Sequence, residues 1–274
     1  MKEKKSRIDE LYDAHDELIG LAYEMLQSCQ AKKKKKCTDS RKLMSFYFRR
    51  AWEMYESFVV LIKANRLVDA ALLLRSLYNM TVDVSYMMVD LDKKENRAMQ
   101  YMLKGNEAQI DLLKNNIDRF KEWGYGDHSS RLAELKENQA RVIEELENAG
   151  EYERIPSQIK QRAERAGDIV LSYYDMVYKP FSNIEHHNIF FGKDYVDDEN
   201  CEPIENPKRI FDSAVFKPEI TLYMCKGLFL EVLKAFNEAF QLNWRKVIKQ
   251  ELQKHKEEFN LYKKERGVKN GTNT

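Results

Sequence analysis

Four side chains that can bind a substrate or move a proton recur every four residues in one stretch of the sequence: Tyr174, Tyr178, Ser182 and His186. On a helix, each step of four residues rotates the side chain by only about 40°, so these four share one broad face. His187 follows directly and points about 100° away from His186. A hydroxyl-rich face that ends in an imidazole suits general acid–base chemistry, because histidine titrates near neutral pH.

A second polar set with the same spacing interrupts the most apolar stretch of the chain, Leu67–Leu91. Arg75, Asn79 and Asp83 are four residues apart and therefore lie on one side of a helix. A buried charge without a partner is costly, so Arg75 and Asp83 must each meet a partner inside the fold. A buried guanidinium could also hold a phosphate or stabilise charge that develops on it.

The same residues allow a purely structural interpretation. Arg75 could be neutralised by Asp83 and by tyrosine hydroxyls in a closed buried network, and His186 could be a core histidine. Pro180 predicts a kink or a helix end, after which Ser182 could cap a restarted helix. Neighbouring histidines form a poor metal site, and the four Cys contain no CxxC pair, so we predict no metal and no cofactor.

The stretch Leu67–Leu91 is the expected centre of the fold. It contains neither Gly nor Pro and is long enough for about seven helical turns. Its apolar positions alternate in steps of four and three, the spacing of a helix that packs on a core. These positions are Ala70, Leu74, Leu77, Thr81, Val84, Met88 and Leu91.

Helical spacing of apolar residues continues through most of the remaining chain and predicts an all-α fold. One further long helix should begin at Pro218, which suits a first turn, and run to the end of the ordered chain. The other predicted helices cover 7–31, 40–64, 92–123, 129–149, 157–167 and 168–189.

We therefore predict a single all-helical domain over residues 1–265, a helical bundle with a projecting hairpin and a long C-terminal helix. Its core should comprise about 40–195 and 218–248, with the hairpin at about 94–149. A surface loop is predicted over 190–217, where prolines and an acidic tract collect, and a disordered tail over 266–274.

Composition excludes several classes of protein. Lys plus Arg is 46 and Asp plus Glu is 45, so the net charge of +1 gives no global attraction to nucleic acid or to a membrane. The first residues lack the apolar segment of a secretory signal, and no stretch reaches eighteen apolar residues. We expect a cytoplasmic protein with reduced cysteines and no membrane partner.

Three motifs in combination resemble a large bacterial family of helical proteins of unknown function, over about residues 45–195. That family is loosely similar to the HEPN helical bundles and is found mostly in cytosolic proteins, often near mobile elements or defence genes. The motifs are Leu72-Leu73-Leu74-Arg75-Ser76, then Ile155-Pro156 with Arg162-Ala163 and Gly167, then Tyr174-x3-Tyr178-x2-Phe181-Ser182-x3-His186.

The resemblance implies a HEPN-like fold in which Arg75 meets the face formed by Tyr178, Ser182 and His186, which would be the catalytic residues. Accessory binding residues would be Asn79, Asp83, Tyr174, His187 and Arg162. HEPN ribonucleases cut RNA without metal, through an Arg and a His four to six residues apart on one helix. None of the five His here follows an Arg at that interval, and Asn79 stands where the family tends to place Glu.

Two functions follow as hypotheses. The first is a HEPN-like protein of a defence or toxin system that binds RNA or cuts it as a metal-independent endoribonuclease. The second is a non-catalytic interaction protein, a homodimer through its long helices, in which the Arg-Tyr-His cluster is structural. In that second hypothesis a narrow apolar seam at Phe259 and Tyr262 would pack on the first helix or on another subunit.

Overall fold

The computed structural model describes residues 5–31, 37–148, 154–185 and 217–265, with side chains to 182 in the third range. These residues form helices and no strand, so the predicted all-α class is confirmed. The predicted loop at 190–217 and the predicted tail at 266–274 lie outside the described residues, apart from Lys217.

Ten α-helices and one π-helical segment make up the described part of the chain. In chain order they are α1 (Arg7–Ala31), α2 (Asp39–Lys63), α3 (Leu67–Met88), α4 (Lys94–Glu122), α5 (Ser129–Asn148), α6 (Ile159–Ala166), α7 (Asp168–Tyr173), the π-segment (Tyr174–Tyr178), α8 (Lys179–Glu185), α9 (Pro218–Phe240) and α10 (Arg245–Glu265).

The core consists of α2, α3 and α9, each of which packs against the other two. Aromatic rings fill the contact between α2 and α9, where Phe48 stacks on Phe236 with ring centroids 3.9 Å apart and Tyr55 stacks on Phe229 at 4.3 Å. The predicted stripe of α3 is buried from Ala70 to Met88. Its last predicted member, Leu91, is exposed because α3 ends at Met88.

The turn between α2 and α3 explains why these helices are antiparallel neighbours. Asn65 adopts a left-handed conformation with φ of 57°, which Asn tolerates better than most residues. The chain therefore reverses within three residues, 64–66, before α3 begins.

Helices α4 and α5 pack on each other as a hairpin. Helix α5 packs mainly on α4, while the first part of α4 packs on α2. Burial in α5 is confined to Leu135 and Leu146, which agrees with the narrow apolar stripe in its sequence. Among the described residues, every helix is too short or too polar to span a bilayer.

The prediction of one long C-terminal helix is wrong. The chain turns between α9 and α10, where Gln241 takes a left-handed conformation with φ of 52°. Asn237 holds the turn, since its backbone carbonyl accepts a hydrogen bond from the Leu242 N–H (2.9 Å) and its side-chain oxygen accepts one from the Trp244 N–H (3.1 Å). Helix α10 consequently folds back and packs on α9.

The seam on α10 is covered by the chain itself. Phe259 and Tyr262 are both buried and lie against the ring of Tyr223 on α9, at centroid distances of 5.6 and 5.4 Å. Arg7 of α1 lies over the ring of Tyr262 and pairs with Glu265. Of the two partners predicted for this seam, another subunit or the first helix, the structure places α9 and α1 there.

Candidate functional site

The π-segment positions the tyrosines singled out by the sequence. The Lys179 N–H donates to the carbonyl of Tyr174, five residues earlier, which widens the helix by one residue in that turn. The next residue, Pro180, has no N–H to donate. The irregularity predicted near Pro180 therefore takes the form of a π-segment, a feature that is frequent at functional sites. Helix α8 continues through Pro180, so Ser182 lies inside α8 and does not cap a restarted helix.

Arg75 and the tyrosines of the π-segment are in contact. The Arg75 side chain is buried, and its guanidinium carbon lies 5.0 Å from the ring centroid of Tyr178. Tyr178 stacks on Tyr174 at 5.1 Å, and Tyr78 of α3 lies 6.0 Å from Tyr178 on another side. A cation over an aromatic face is held by the ring quadrupole, more strongly where water is excluded.

Asp83 belongs to a different cluster. Its Oδ1 accepts hydrogen bonds from Arg162 Nε at 2.8 Å and from the hydroxyl of Tyr101 at 3.0 Å. Arg162 Nη1 donates in addition to the carbonyls of Pro156 and Ser157, at 2.7 and 2.9 Å. This cluster joins α3, α4 and α6, and we call it the Asp83–Arg162 network.

The predicted pairing of Arg75 with Asp83 is not the one that forms. Eight residues separate the two along α3, which corresponds to about 12 Å of helix rise, so the two side chains start too far apart to form an ion pair with each other. Arg162 from α6 neutralises Asp83 instead. Asn79 lies between them, and its side-chain oxygen is buried without a hydrogen-bond partner among the described residues.

Burial sets the protonation of this region. It raises the pKa of Asp83, an effect that Arg162 and Tyr101 partly offset by stabilising the carboxylate. Burial also raises the pKa values of Tyr78 and Tyr101. These phenols therefore stay protonated at neutral pH and can donate hydrogen bonds, but they do not supply a base.

The remaining predicted site residues are only partly placed. Ser182 is half-buried in α8. His186 and His187 lie outside the described residues, so the predicted meeting of Arg75 with an imidazole stays a prediction. Within the described ranges, no three His, Cys, Asp or Glu side chains are grouped closely enough to hold a metal ion. The arrangement described can hold an anion or a planar group against Arg75 and Tyr178.

Sequence reasoning missed a second polar cluster, at the packing of α9 on α10. Lys226 is almost fully buried and its Nζ lies 3.2 Å from a carboxylate oxygen of Glu258. The hydroxyl of Tyr173 lies 3.3 Å from Nε2 of the buried His255. One signal could have found His255: it continues the apolar spacing of Leu252 and Phe259, which predicts an inward position.

Comparison with known proteins assigns the chain to a family but does not indicate an activity. The chain matches no curated protein and no solved structure. The model of DUF5677, a family of unknown function, matches residues 41–203, from α2 to beyond α8. The matched region includes Arg75, the Asp83–Arg162 network and the π-segment, while similarity to HEPN proteins stays a prediction. Because the match covers more than half of the chain, this protein belongs to the DUF5677 family, whose function is unknown.

Proposed function

We propose that this protein is a non-catalytic helical interaction protein that binds a protein partner through the end of its α4–α5 hairpin. The single observation that carries the proposal is the pair of large aromatic side chains at that end, Trp123 and Tyr125, which are 64% and 69% exposed. Tryptophan and tyrosine are the residue types most enriched among the energetically dominant contacts of protein interfaces. We call residues 120–128 the hairpin tip.

The rings of the hairpin tip form one connected cluster. Phe120 packs edge-on against both Tyr125 and His128, with centroids 6.3 and 5.6 Å apart, and Trp123 packs edge-on against Tyr125 at 6.4 Å. Gly124 has a φ of 77°, in the left-handed region that other residues rarely adopt. An aromatic cluster held by its own turn loses little conformational entropy when a partner binds.

Charges around the hairpin tip favour a protein partner over a nucleic acid. Arg119 and Lys121 alternate there with acidic Asp118, Glu122 and Asp127. Mixed charge around exposed aromatics resembles the polar rim of a protein interface, whereas a nucleic-acid surface carries basic residues clustered on one side.

The Asp83–Arg162 network has the character of a structural cluster. Arg162 already donates to one carboxylate and two carbonyls, which leaves little capacity for a substrate. Its acceptors lie on α3 and in the segment just before α6, and Tyr101 of α4 bonds to the same Asp83 carboxylate, so Arg162 fastens α6 to α3 beside α4. Self-association through the α10 seam would require Phe259 and Tyr262 to leave their packing on Tyr223.

The proposal predicts that a photo-crosslinking residue in place of Lys121, beside the tip, will form a protein adduct in cells of the source organism. Trp123→Ala with Tyr125→Ala should lower the adduct yield at least about tenfold, because truncating an interface anchor commonly costs 2 kcal/mol or more. The adduct is measured on denaturing gels and should be digested by protease and resist nuclease.

A matched control is Tyr23→Ala in the same crosslinking background. Tyr23 is also an exposed aromatic residue but lies on α1, so its loss should leave the adduct intact. An adduct with a second copy of this chain would make the partner a homodimer and would support the proposal. No adduct, an adduct unchanged by the tip variants, or one digested by nuclease would refute it.

The second candidate function is RNA binding or metal-independent RNA cleavage of the HEPN type, within a defence or toxin system. The observation that favours it is the Arg75 guanidinium against the stacked Tyr178 and Tyr174 of the π-segment. Guanidinium and aromatic side chains together suit the phosphate and base of a single strand. His186 would move the proton in a cleavage reaction.

Incubation of the purified protein with total RNA, with and without a chelator, tests this candidate. Cleavage that survives the chelator and is lost in His186→Ala, with an unchanged thermal midpoint, would establish it. Intact and unbound RNA would exclude it. If RNA stays intact and unbound, the Arg75 guanidinium has only a structural role inside the fold, and Arg75→Ala should lower the thermal midpoint.

A further inference from the structure

A groove of about 450 Å³ lies between α7, the π-segment and α10. Cavities of this size hold small organic molecules. Part of its lining is apolar: Ile169 and Met176 on one side, Leu252 and Phe259 of α10 on the other. Ile169 is exposed although it is a large aliphatic residue, so the groove offers apolar surface that the described residues do not cover.

Charge along the groove has one sign. Lys249, Lys256 and Lys263 line it, at intervals of seven residues along α10, and among the residues that the structure describes no acidic side chain does. Seven residues fall about 20° short of two full turns, so the three side chains follow one edge of the helix, roughly 10 Å apart. Within the described part of the chain, Lys249 and Lys256 form no ion pair, while the Lys263 Nζ lies 4.8 Å from the ring centroid of Phe259.

One wall of the groove is a closely packed polar contact. Tyr173 and His255 line the groove beside Gly227 of α9. A Cβ at position 227 would lie 2.0 Å from the Tyr173 hydroxyl and 2.7 Å from His255 Nε2, so only glycine lets the two side chains meet there. Nδ1 of His255 is buried and has no hydrogen-bond partner among the described residues. Burial and the Lys226 ammonium lower the pKa of His255 to about 4, so the imidazole is neutral at pH 7.

We infer that this groove binds an amphiphile with one apolar chain and one anionic head group, such as a long-chain carboxylate. The chain would lie along Ile169, Met176, Leu252 and Phe259, and the head would pair with a lysine at the rim. Apolar lining and cationic rim both match that chemistry, since the lysines attract an anionic head group, give a neutral one no such attraction and repel a cationic one.

The test uses palmitate as the probe, titrated calorimetrically into the full-length protein below the micelle concentration. We expect saturable binding of one palmitate per chain. Lys249→Glu with Lys256→Glu should weaken binding at least tenfold, because the variant replaces two cations at the rim by anions. Ile169→Asp, an exposed position, should weaken it by a similar factor because it places a carboxylate on the apolar lining.

The matched control is Lys246→Glu with Lys264→Glu. It changes the net charge equally and lies on the same helix, but neither residue lines the groove, so palmitate affinity should stay within about twofold. Circular dichroism checks that each variant remains folded. Hexadecanol, which has the same chain and no charge, should bind at least tenfold more weakly than palmitate.

Three results would each overturn the inference. The first is the absence of saturable palmitate binding to the wild-type protein. The second is equal affinity in the rim variant and its control, or equal binding of hexadecanol and palmitate. The third is binding to vesicles of anionic phospholipid without binding of monomeric palmitate, since that would assign the lysines to a membrane surface.

Discussion

Lowering the pH from 6.5 to 4 is expected to reduce the free energy of unfolding by about 6 kcal/mol, because two histidines are buried as neutral imidazoles. His15 is fully buried, stacks on Tyr55 and lies with its Nε2 3.2 Å from the carbonyl of Leu222. Burial, with the nearby Lys226 ammonium, lowers the pKa of His15 to about 3. Burial and Lys226 lower the pKa of His255 to about 4.

The free energy of unfolding falls with pH because the unfolded state takes up protons that the folded state does not. Below pH 6.5 the unfolded chain protonates both histidines, whereas the folded chain keeps His255 neutral to about pH 4 and His15 neutral to about pH 3. Each pH unit in that window then costs about 1.4 kcal/mol per histidine. Two carboxyls act in opposite directions, since burial raises the pKa of Asp83 and hydrogen bonds from Ser40 and Thr38 lower that of Glu95.

Urea denaturation at pH 7, 6, 5 and 4 measures this loss. His15→Gln and His255→Gln should each remove about half of the dependence on pH, because glutamine keeps a polar side chain but does not titrate. His128→Gln, at the hairpin tip, is the matched control and should change little. A free energy of unfolding that stays constant from pH 7 to 4 would show that both imidazoles are accessible to protons in the folded state.

Most helices of this fold follow from the sequence because each apolar stripe depends only on residues within its own helix. The α3 stripe from Ala70 to Met88 is buried, and α1 begins and ends at the predicted residues, Arg7 and Ala31. His15 has the same spacing as the apolar residues of α1, such as Leu11 and Leu18, and is buried with them. Such a pattern can be recognised without knowing which other helices pack against it.

The break between α9 and α10 could not be predicted in the same way. Residues 240–244 contain neither Gly nor Pro, and the turn depends on Asn237, whose side chain caps Trp244 from seven residues earlier. What decides the turn is the burial gained when α10 folds back onto α9, for example by Tyr262 on Tyr223. Such a gain depends on tertiary packing and leaves no local signal.

One contact of the candidate site was predicted and another was not. Arg75 contacts Tyr178, as the family resemblance implied, and Tyr178 stacks on Tyr174. The partner of Asp83, however, is Arg162, which is 79 residues away. Helical spacing shows that a buried carboxylate needs a cation but cannot show which of many cations the fold delivers.

Replacing that cation should produce the largest loss of stability from any single substitution proposed for this protein. Arg162→Ala is expected to lower the free energy of unfolding at pH 7 by about 3–5 kcal/mol, since it leaves the largely buried Asp83 carboxylate without a cation. The penalty should shrink as the pH falls toward 4, because burial raises the pKa of Asp83 and a protonated carboxyl needs no cation. Urea denaturation of the wild-type protein and the variant at pH 7 and pH 4 measures the loss of stability and its decrease with pH.

Arg66→Ala is the control for this experiment, because Arg66 and Asp69 form the same type of pair, Nε to carboxylate at 3.1 Å, on the exposed surface. Its loss should cost less than about 1 kcal/mol. Adding Asp83→Asn to Arg162→Ala should restore part of the lost stability, since the amide removes the stranded charge. A cost for Arg162→Ala no larger than that for Arg66→Ala would mean that the network does not fasten α6 to α3, and the structural role assigned to Arg162 would fall with it.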